Sequence, residues 1–305
     1  QFKNNKMSQN IVIGCDIGGS HISCALVNVD SGEIIKNTLV SIKVDNSESK
    51  EVLIGAWTNA IKQCKNNLPK ESIFLGVGLA IPGPFDYENG IGLYDNSNLK
   101  FVNLKNVNVK DALSNSLLLP IDQIRFVNDA TAFSLGSFWY GSGKGSKKMV
   151  AITLGTGFGS SFIYNGQVVE DGKTVPEGGY LWDKPFKEGI ADDYFSTRWF
   201  VNSFNEVSFE QVTGVRRIAE LASKGNKQAI ELFSEFGENL ANCLGKYLQK
   251  FNAEVVVMGG NIAEAFDFFK PRLYSKLKEN GLEIPFKVST LKESAAMLGA
   301  ATLFK

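Results

Sequence analysis

At 305 residues the chain is long enough for two domains, each with its own core. Its 44% apolar and 21% charged residues are a globular composition, and 32 basic residues balance 32 acidic ones. Zero net charge argues against nucleic acid as the main partner, and neither a bilayer-length apolar run nor a charged-then-apolar leader is found, so a cytoplasmic protein without a membrane partner is expected.

Residues 1–10 are polar, with Met7 a candidate natural start. The runs 11–16, 22–29 and 33–42 read as three consecutive strands, turned at Gly18-Gly19 and Asp30-Ser31-Gly32. Val52, Leu53, Ala56, Trp57, Ala60, Ile61 and Cys64 recur at helical spacing and predict a helix over 50–67. Ile73 to Ala80 is a continuous apolar run with glycines, the pattern of a strand buried on both faces, and Pro82-Gly83-Pro84 forces a loop after it. A helix at 108–117, a strand at 124–127 and a helix at 129–139 complete an α/β domain with a mixed sheet. The Gly/Ser/Lys stretch 141–148 reads as a hinge. Beyond it the three-strand unit recurs at 149–155, 159–165 and 167–170. Helices follow at 190–203, 209–223 and 227–250, then a buried strand over 254–258, a helix at 263–280, a strand at 285–290 and a helix at 293–304. The expected domains are therefore 8–140 and 141–292, with 293–305 packing back on the first.

The doubled unit carries two glycine turns, Asp16-Ile17-Gly18-Gly19-Ser20 and Leu154-Gly155-Thr156-Gly157-Phe158-Gly159. Glycine removes the Cβ and permits positive φ, so backbone N–H groups can converge on one anion. Two such turns facing each other could hold a polyphosphate. A carboxylate beside an anion loop makes electrostatic sense when a cation lies between, so Asp16 is expected to hold Mg²⁺ through water, with Ser20 donating to a phosphate oxygen. Gly18, Gly19, Gly155, Thr156 and Gly157 would meet the phosphates.

Asn128-Asp129-Ala130 follows an apolar strand and opens a helix. Asp129 is either an N-cap or a base: carboxyl ends of strands in α/β sheets face ligands, and an ionised Asp there can take the proton of an attacking hydroxyl. Ile81-Pro82-Gly83-Pro84, Asn98, Glu177-Gly178-Gly179-Tyr180 and Asp192 add a loop and side chains able to bond several hydroxyls of one sugar. Gly259-Gly260-Asn261 follows a buried strand and would let a purine or ribose approach the backbone. Each of these alone is also an ordinary turn. Cys15, Cys24, Cys64 and Cys243 lack metal-binding spacing and are expected as buried, reduced thiols. With His21 the one histidine, a His–Cys zinc site or a Ser–His–Asp triad elsewhere is excluded.

Taken together, these segments resemble the ROK family of bacterial sugar kinases and sugar-responsive repressors, within the actin-like, hexokinase-like ATPase superfamily. Asp16 to Ser20 is similar to the family's first phosphate motif, with Ser where Thr is usual, and Leu154 to Gly159 to its second. Ile81 to Pro84, Asn128 to Ala130 and Met258 to Gly260 resemble three further signatures, so the likeness covers about 11–304. It implies two actin-like (ribonuclease H-like) α/β domains with an interdomain cleft for ATP–Mg²⁺ and a sugar. It implies Asp129 as catalytic base, sugar contacts from Asn98, Asn128, Asp129 and Glu177, and a homodimer. Tyr180 stands where the family has a zinc-ligand His, the cysteine-rich zinc loop is missing, and Gly189-Ile190-Ala191-Asp192 replaces Gly-Cys-Leu-Glu, so no zinc site is expected and Asp192 takes the place of a sugar-binding Glu. The implied activity is ATP-dependent phosphorylation of a hexose 6-hydroxyl, glucose foremost. Mannose or an N-acetylhexosamine is the alternative substrate, polyphosphate an alternative donor, and a non-catalytic sugar sensor the alternative class. Only ten residues precede Ile11, too few for the repressors' helix-turn-helix segment.

Overall fold

A computed structural model describes residues 8–95 and 100–305. The described chain divides into two compact units, one formed by residues up to 140 together with 293–305, the other by 141–292.

The first unit opens with β1 (Gln9–Ile17) and β2 (His21–Asn28), an antiparallel pair joined by the first glycine turn. Ile11 to Cys15 are all buried because β1 is central, flanked by β2 and, in parallel, by β5 (Ser72–Ile81). The region expected as one strand over 33–42 is two, β3 (Glu33–Ile34) and β4 (Val40–Lys43), both pairing with β2. Thr38 interrupts it: its hydroxyl donates to the Ile35 carbonyl at 2.7 Å and accepts the Leu26 N–H at 3.2 Å, while Asn37 turns left-handed at φ 61°. A side chain thus does the pairing that a continuous ladder would have done. Helix α1 (Lys50–Lys65) is capped by Ser49, which accepts the Val52 N–H. A small hairpin not foreseen from sequence, β6 (Phe85–Asp86) with β7 (Ile91–Gly92), follows β5. Then come α2 (Val109–Leu117), β8 (Ile124–Asn128), parallel to β5, and α3 (Asp129–Tyr140).

In the second unit, β9 (Lys148–Leu154), β10 (Phe158–Tyr164) and β11 (Gln167–Val168) repeat the antiparallel meander. A short hairpin, β12 (Pro185–Phe186) with β13 (Gly189–Ile190), precedes α4 (Ala191–Tyr194) and α5 (Thr197–Val207). The single helix expected over 190–203 is broken because Phe195 and Ser196 leave helical geometry and Thr197 turns both N–H and hydroxyl onto the Gly155 carbonyl, at 2.7 and 2.9 Å. Similarly α6 is Val215–Ser223 rather than 209–223, since Asn205 pairs both ways with the Val212 backbone, at 2.8 and 3.0 Å, and holds that segment out of the helix. Helix α7 (Lys227–Phe251) starts at an Asn226 cap, β14 (Val255–Gly259) runs parallel to β9, α8 spans Phe266–Glu279, and β15 (Phe286–Val288) closes the sheet in the order β11-β10-β9-β14-β15. The core here is strongly aromatic; Phe200 and Phe236 pack tilted by 39° with centroids 4.8 Å apart.

Helix α9 (Ser294–Ala301) belongs to the first unit and lies against α3, β1 and β5. Glycines make this possible. A Cβ on Gly14 would fall 2.2 Å from the Met297 carbonyl oxygen, and one on Gly299 would fall 1.7 Å from that of Ala132. All four cysteines are buried and unpaired. Among the described residues no helix is long and apolar enough to cross a membrane.

Candidate functional site

In the first unit, three parallel strands deliver three motifs to one edge. Asp16 on β1 lies abreast of Ala80 on β5, and Ala80 and Ile81 lie abreast of Val127 and Asn128 on β8. Carboxyl ends of adjacent parallel strands are where α/β sheets receive ligands. Burial and then the neighbouring Asp129 carboxylate push the Asp16 pKa up to about 6, against a smaller opposing pull from His21. Asp129 itself is open to solvent yet crowded by protein, and desolvation pushes its pKa up; the Ala130 N–H, Lys100 and the Asn128 side chain favour its charged form.

Asn128 is the N-cap at this edge, and Asp129 Oδ1 shares one of its bonds, accepting the Ala130 N–H at 2.9 Å. Asn128 Oδ1 accepts the N–H groups of Ala130 and Thr131 at 3.0 and 3.3 Å, while its Nδ2 donates to the Tyr87 hydroxyl at 3.1 Å. Tyr87 donates in turn to the Ile81 carbonyl, and Tyr94 to that of Pro82 at 2.7 Å, so two tyrosines fix the loop containing Gly83. A Cβ on Gly83 would sit 3.2 Å from the Tyr87 hydroxyl. In the first glycine turn, Gly18 N–H donates to the His21 carbonyl and Asn46 Nδ2 to that of Gly19, at 2.9 Å each. Ser20 Oγ is 3.2 Å from His21 Nδ1. Lys100 Cε comes within 4.0 Å of the place of a Cβ on Gly19. Tyr87 and Lys100 carried no sequence signal, one being an aromatic and the other a cation in polar loops. Asn98 lies outside the described residues.

In the second unit, β9 and β14 run parallel with Thr153 abreast of Gly259, so the turns after them are neighbours. The Leu154 carbonyl accepts the Ile262 N–H at 3.1 Å, and a Cβ on Gly260 would fall 2.3 Å from that oxygen. With φ at +87°, position 260 suits glycine on both counts. Asn261 Nδ2 reaches the Thr197 hydroxyl at 3.4 Å, and Thr197 holds the Gly155 carbonyl. Gly155 N–H donates to the Gly157 carbonyl, whereas among the described residues no acceptor meets the N–H groups of Thr156 and Gly157. Asp192 belongs to the same turn: its Oδ1 accepts the Phe158 N–H at 2.7 Å. Beside Asn261 opens a cavity of about 630 Å³ lined by Arg216, Glu220, Glu264 and Phe268.

Glu177 is exposed on a short 3₁₀ turn whose far end is pinned by Ser160, which donates to the Gly179 carbonyl and accepts the Leu181 N–H. Tyr180 folds its ring over Gly178, where a Cβ would lie 2.5 Å from ring carbons. Burial, then Glu170, raises the pKa of its phenol. Among the described residues no three His, Cys, Asp or Glu side chains cluster to ligate a metal.

The chain belongs to the ROK family, which matches residues 12–305. It is 27% identical to a glucokinase of Thermotoga maritima over 96% of this chain and 97% of that protein. It is 26% identical to an N-acetyl-D-glucosamine kinase of Haemophilus influenzae over 95% of this chain and 98% of that one. Its fold is that of the ROK glucokinase of Streptomyces griseus crystallised with glucose and AMPPNP, at a TM-score of 0.73 and 21% identity over 96% of this chain and 98% of that one. The architecture is thus the actin-like α/β arrangement.

Proposed function

We propose that the protein is an ATP-dependent sugar kinase that phosphorylates the 6-hydroxyl of a hexose, glucose foremost. The observation that carries the reading is the alignment of Asp16 and Asp129 at one edge of the first sheet, with Asn128 as the N-cap of α3 and Asp129 bonding the helix through one carboxylate oxygen only. Asp129 is the base that accepts the hydroxyl proton as the alcohol attacks phosphorus. Asn128, Gly83, Asn98, Glu177 and Tyr180 are the residues proposed to position the sugar. Phosphoryl transfer asks mainly for positioning and charge neutralisation.

The ATP phosphates are assigned to the glycine turns, Gly18, Gly19 and Ser20 in one unit and Gly155, Thr156 and Gly157 in the other. The unpartnered N–H groups of Thr156 and Gly157 support this. The nucleoside is assigned to the cavity beside Gly259, Gly260 and Asn261. Mg²⁺ fits the chemistry of the first unit: burial, and then the neighbouring Asp129 carboxylate, raise the Asp16 pKa, a cost that a cation would relieve, and Mg²⁺ takes one or two protein carboxylates besides water and phosphate oxygens. Asp16 would hold it through water. When bound, Mg²⁺ supplies neutralisation of phosphate charge.

An ADP-release assay over a panel of hexoses and N-acetylhexosamines tests the reading. Turnover with glucose supports it. Turnover confined to N-acetylhexosamines supports the second substrate reading, which the Haemophilus influenzae relative's name favours. Absence of turnover with every sugar, alongside a gel shift on genomic fragments, would overturn both.

A further inference from the structure

Two adjacent acids, Asp192 and Asp193, follow the β12–β13 hairpin and divide their work. Asp193 stays local. Its Oδ2 accepts the Ile190 N–H at 3.1 Å, and a Cβ on Gly189 would fall 2.6 Å from that oxygen. Asp192 reaches across 34 residues of sequence to the second glycine turn, where Oδ1 takes the Phe158 N–H at 2.7 Å. That is the shortness of a charge-assisted bond. Its backbone is anchored by its own N–H donating to the Trp182 carbonyl at 2.9 Å. Arg198 balances the charge, with Nη2 3.4 Å from Asp192 Oδ2 and 3.5 Å from Asp193 Oδ1.

We infer that Asp192 is a positioning residue for the nucleotide phosphates and not a sugar ligand. The turn has three amide donors in succession. One, Phe158 N–H, is claimed by Asp192; the other two, at Thr156 and Gly157, remain for an anion. Thr197 holds the opposite end of the turn through the Gly155 carbonyl. Fixed at both ends, the turn presents its free amides without having to order itself when phosphate arrives, which strengthens binding by removing an entropic cost. Glycine at 157 eases the same arrangement, because a Cβ there would lie 3.1 Å from Asp192 Oδ1, closer than ordinary contact. The shorter Asp, where a sugar-binding Glu is expected, directs this acid to the protein's own backbone.

This inference rests on the kinase reading for its ligand, and the experiment separates the two. Binding of AMPPNP–Mg²⁺ is measured by calorimetry, and the Michaelis constants for ATP and sugar are measured separately, in wild type, Asp192→Ala and Asp192→Asn. Asp192→Ala should weaken AMPPNP and raise the KM for ATP by about tenfold or more, leaving the sugar KM within about twofold. Asp192→Asn keeps an oxygen that can accept the Phe158 N–H and should recover most of the nucleotide affinity, a rescue that general loss of structure would not give. Should Asp192→Ala fail to fold, Asp192→Ser, too short to reach the Phe158 N–H, takes its place: weakened AMPPNP with an unchanged sugar KM supports the role, and a raised sugar KM with unchanged AMPPNP affinity overturns it. The proposal also fails if Asp192→Ala binds AMPPNP normally, or if Asn does not rescue. A wild-type protein that binds no AMPPNP overturns the kinase reading itself, whereas unchanged binding in the variant overturns this proposal alone.

Discussion

Asn128 and Asp129 are adjacent in sequence and share the Ala130 N–H, yet only Asn128 also caps Thr131, which leaves Asp129 a second carboxylate oxygen for chemistry. Asn128 satisfies two orphan amides of α3 and ties that helix to Tyr87. Under the proposed mechanism, Asp129→Asn removes only the proton acceptor, so turnover should fall by about 10²–10⁴-fold while sugar affinity, read by calorimetry, stays within about threefold. Near-normal turnover would remove the base assignment. Tyr87→Phe deletes one hydroxyl that accepts from Asn128 and donates to Ile81. It should cost about 1 kcal/mol of stability in chemical denaturation and slow turnover several-fold, since the loop at Gly83 and the start of α3 lose their tie. Sequence alone left Asp129 open between cap and base, because the pattern strand–Asn–Asp–helix fits either residue as cap. Both side chains accept the Ala130 N–H, and only the Thr131 N–H, taken by Asn128 alone, distinguishes the cap.

At the scale of elements, legibility followed how local the cause was. The buried strands β1, β5 and β14 were readable as apolar runs, and α1, α2 and α7 from spacing, with Ser49, Asn108 and Asn226 at their caps. What was hidden lay in side chains acting at a distance. Thr38 splits the third strand, Asn205 shortens α6, and Thr197 restarts a helix after bonding Gly155, more than 40 residues away. Each substitutes a side-chain bond for a backbone one, which periodicity cannot register. The glycine motifs were visible for their turns, but Gly14, Gly136 and Gly299 had a second use: they let α9 approach to backbone contact. Gly299→Ala places a methyl group 1.7 Å from the Ala132 carbonyl position and must push α9 from α3. We expect a loss of about 2–3 kcal/mol in urea denaturation; an unchanged midpoint would show that the packing yields freely.

On the scale of the whole molecule, each unit gathers its polar residues at the carboxyl ends of parallel strands, and the first does so at a cost in stability. Asp16 is held above its ordinary pKa by burial and then by Asp129, to about 6. A carboxyl with a raised folded-state pKa binds its proton more tightly in the native state than in the unfolded chain. Its contribution to stability is therefore full below about pH 4 and is lost as pH rises through about 6. In metal-free protein, Asp16→Asn should accordingly raise stability at pH 7.5 by about 2–3 kcal/mol and flatten the fall in Tm between pH 5 and 7. A variant no more stable than wild type at pH 7.5 would contradict the raised pKa of Asp16. The way α9 completes the first unit has a further outcome for biosynthesis. Residues 141–292 form an unbroken stretch, whereas the amino-terminal sheet lacks its covering helix until translation has passed residue 301. The later-made body should thus mature first. A released chain truncated after residue 292 should resist protease across 141–292 and be cut readily in the segment that was synthesised earliest.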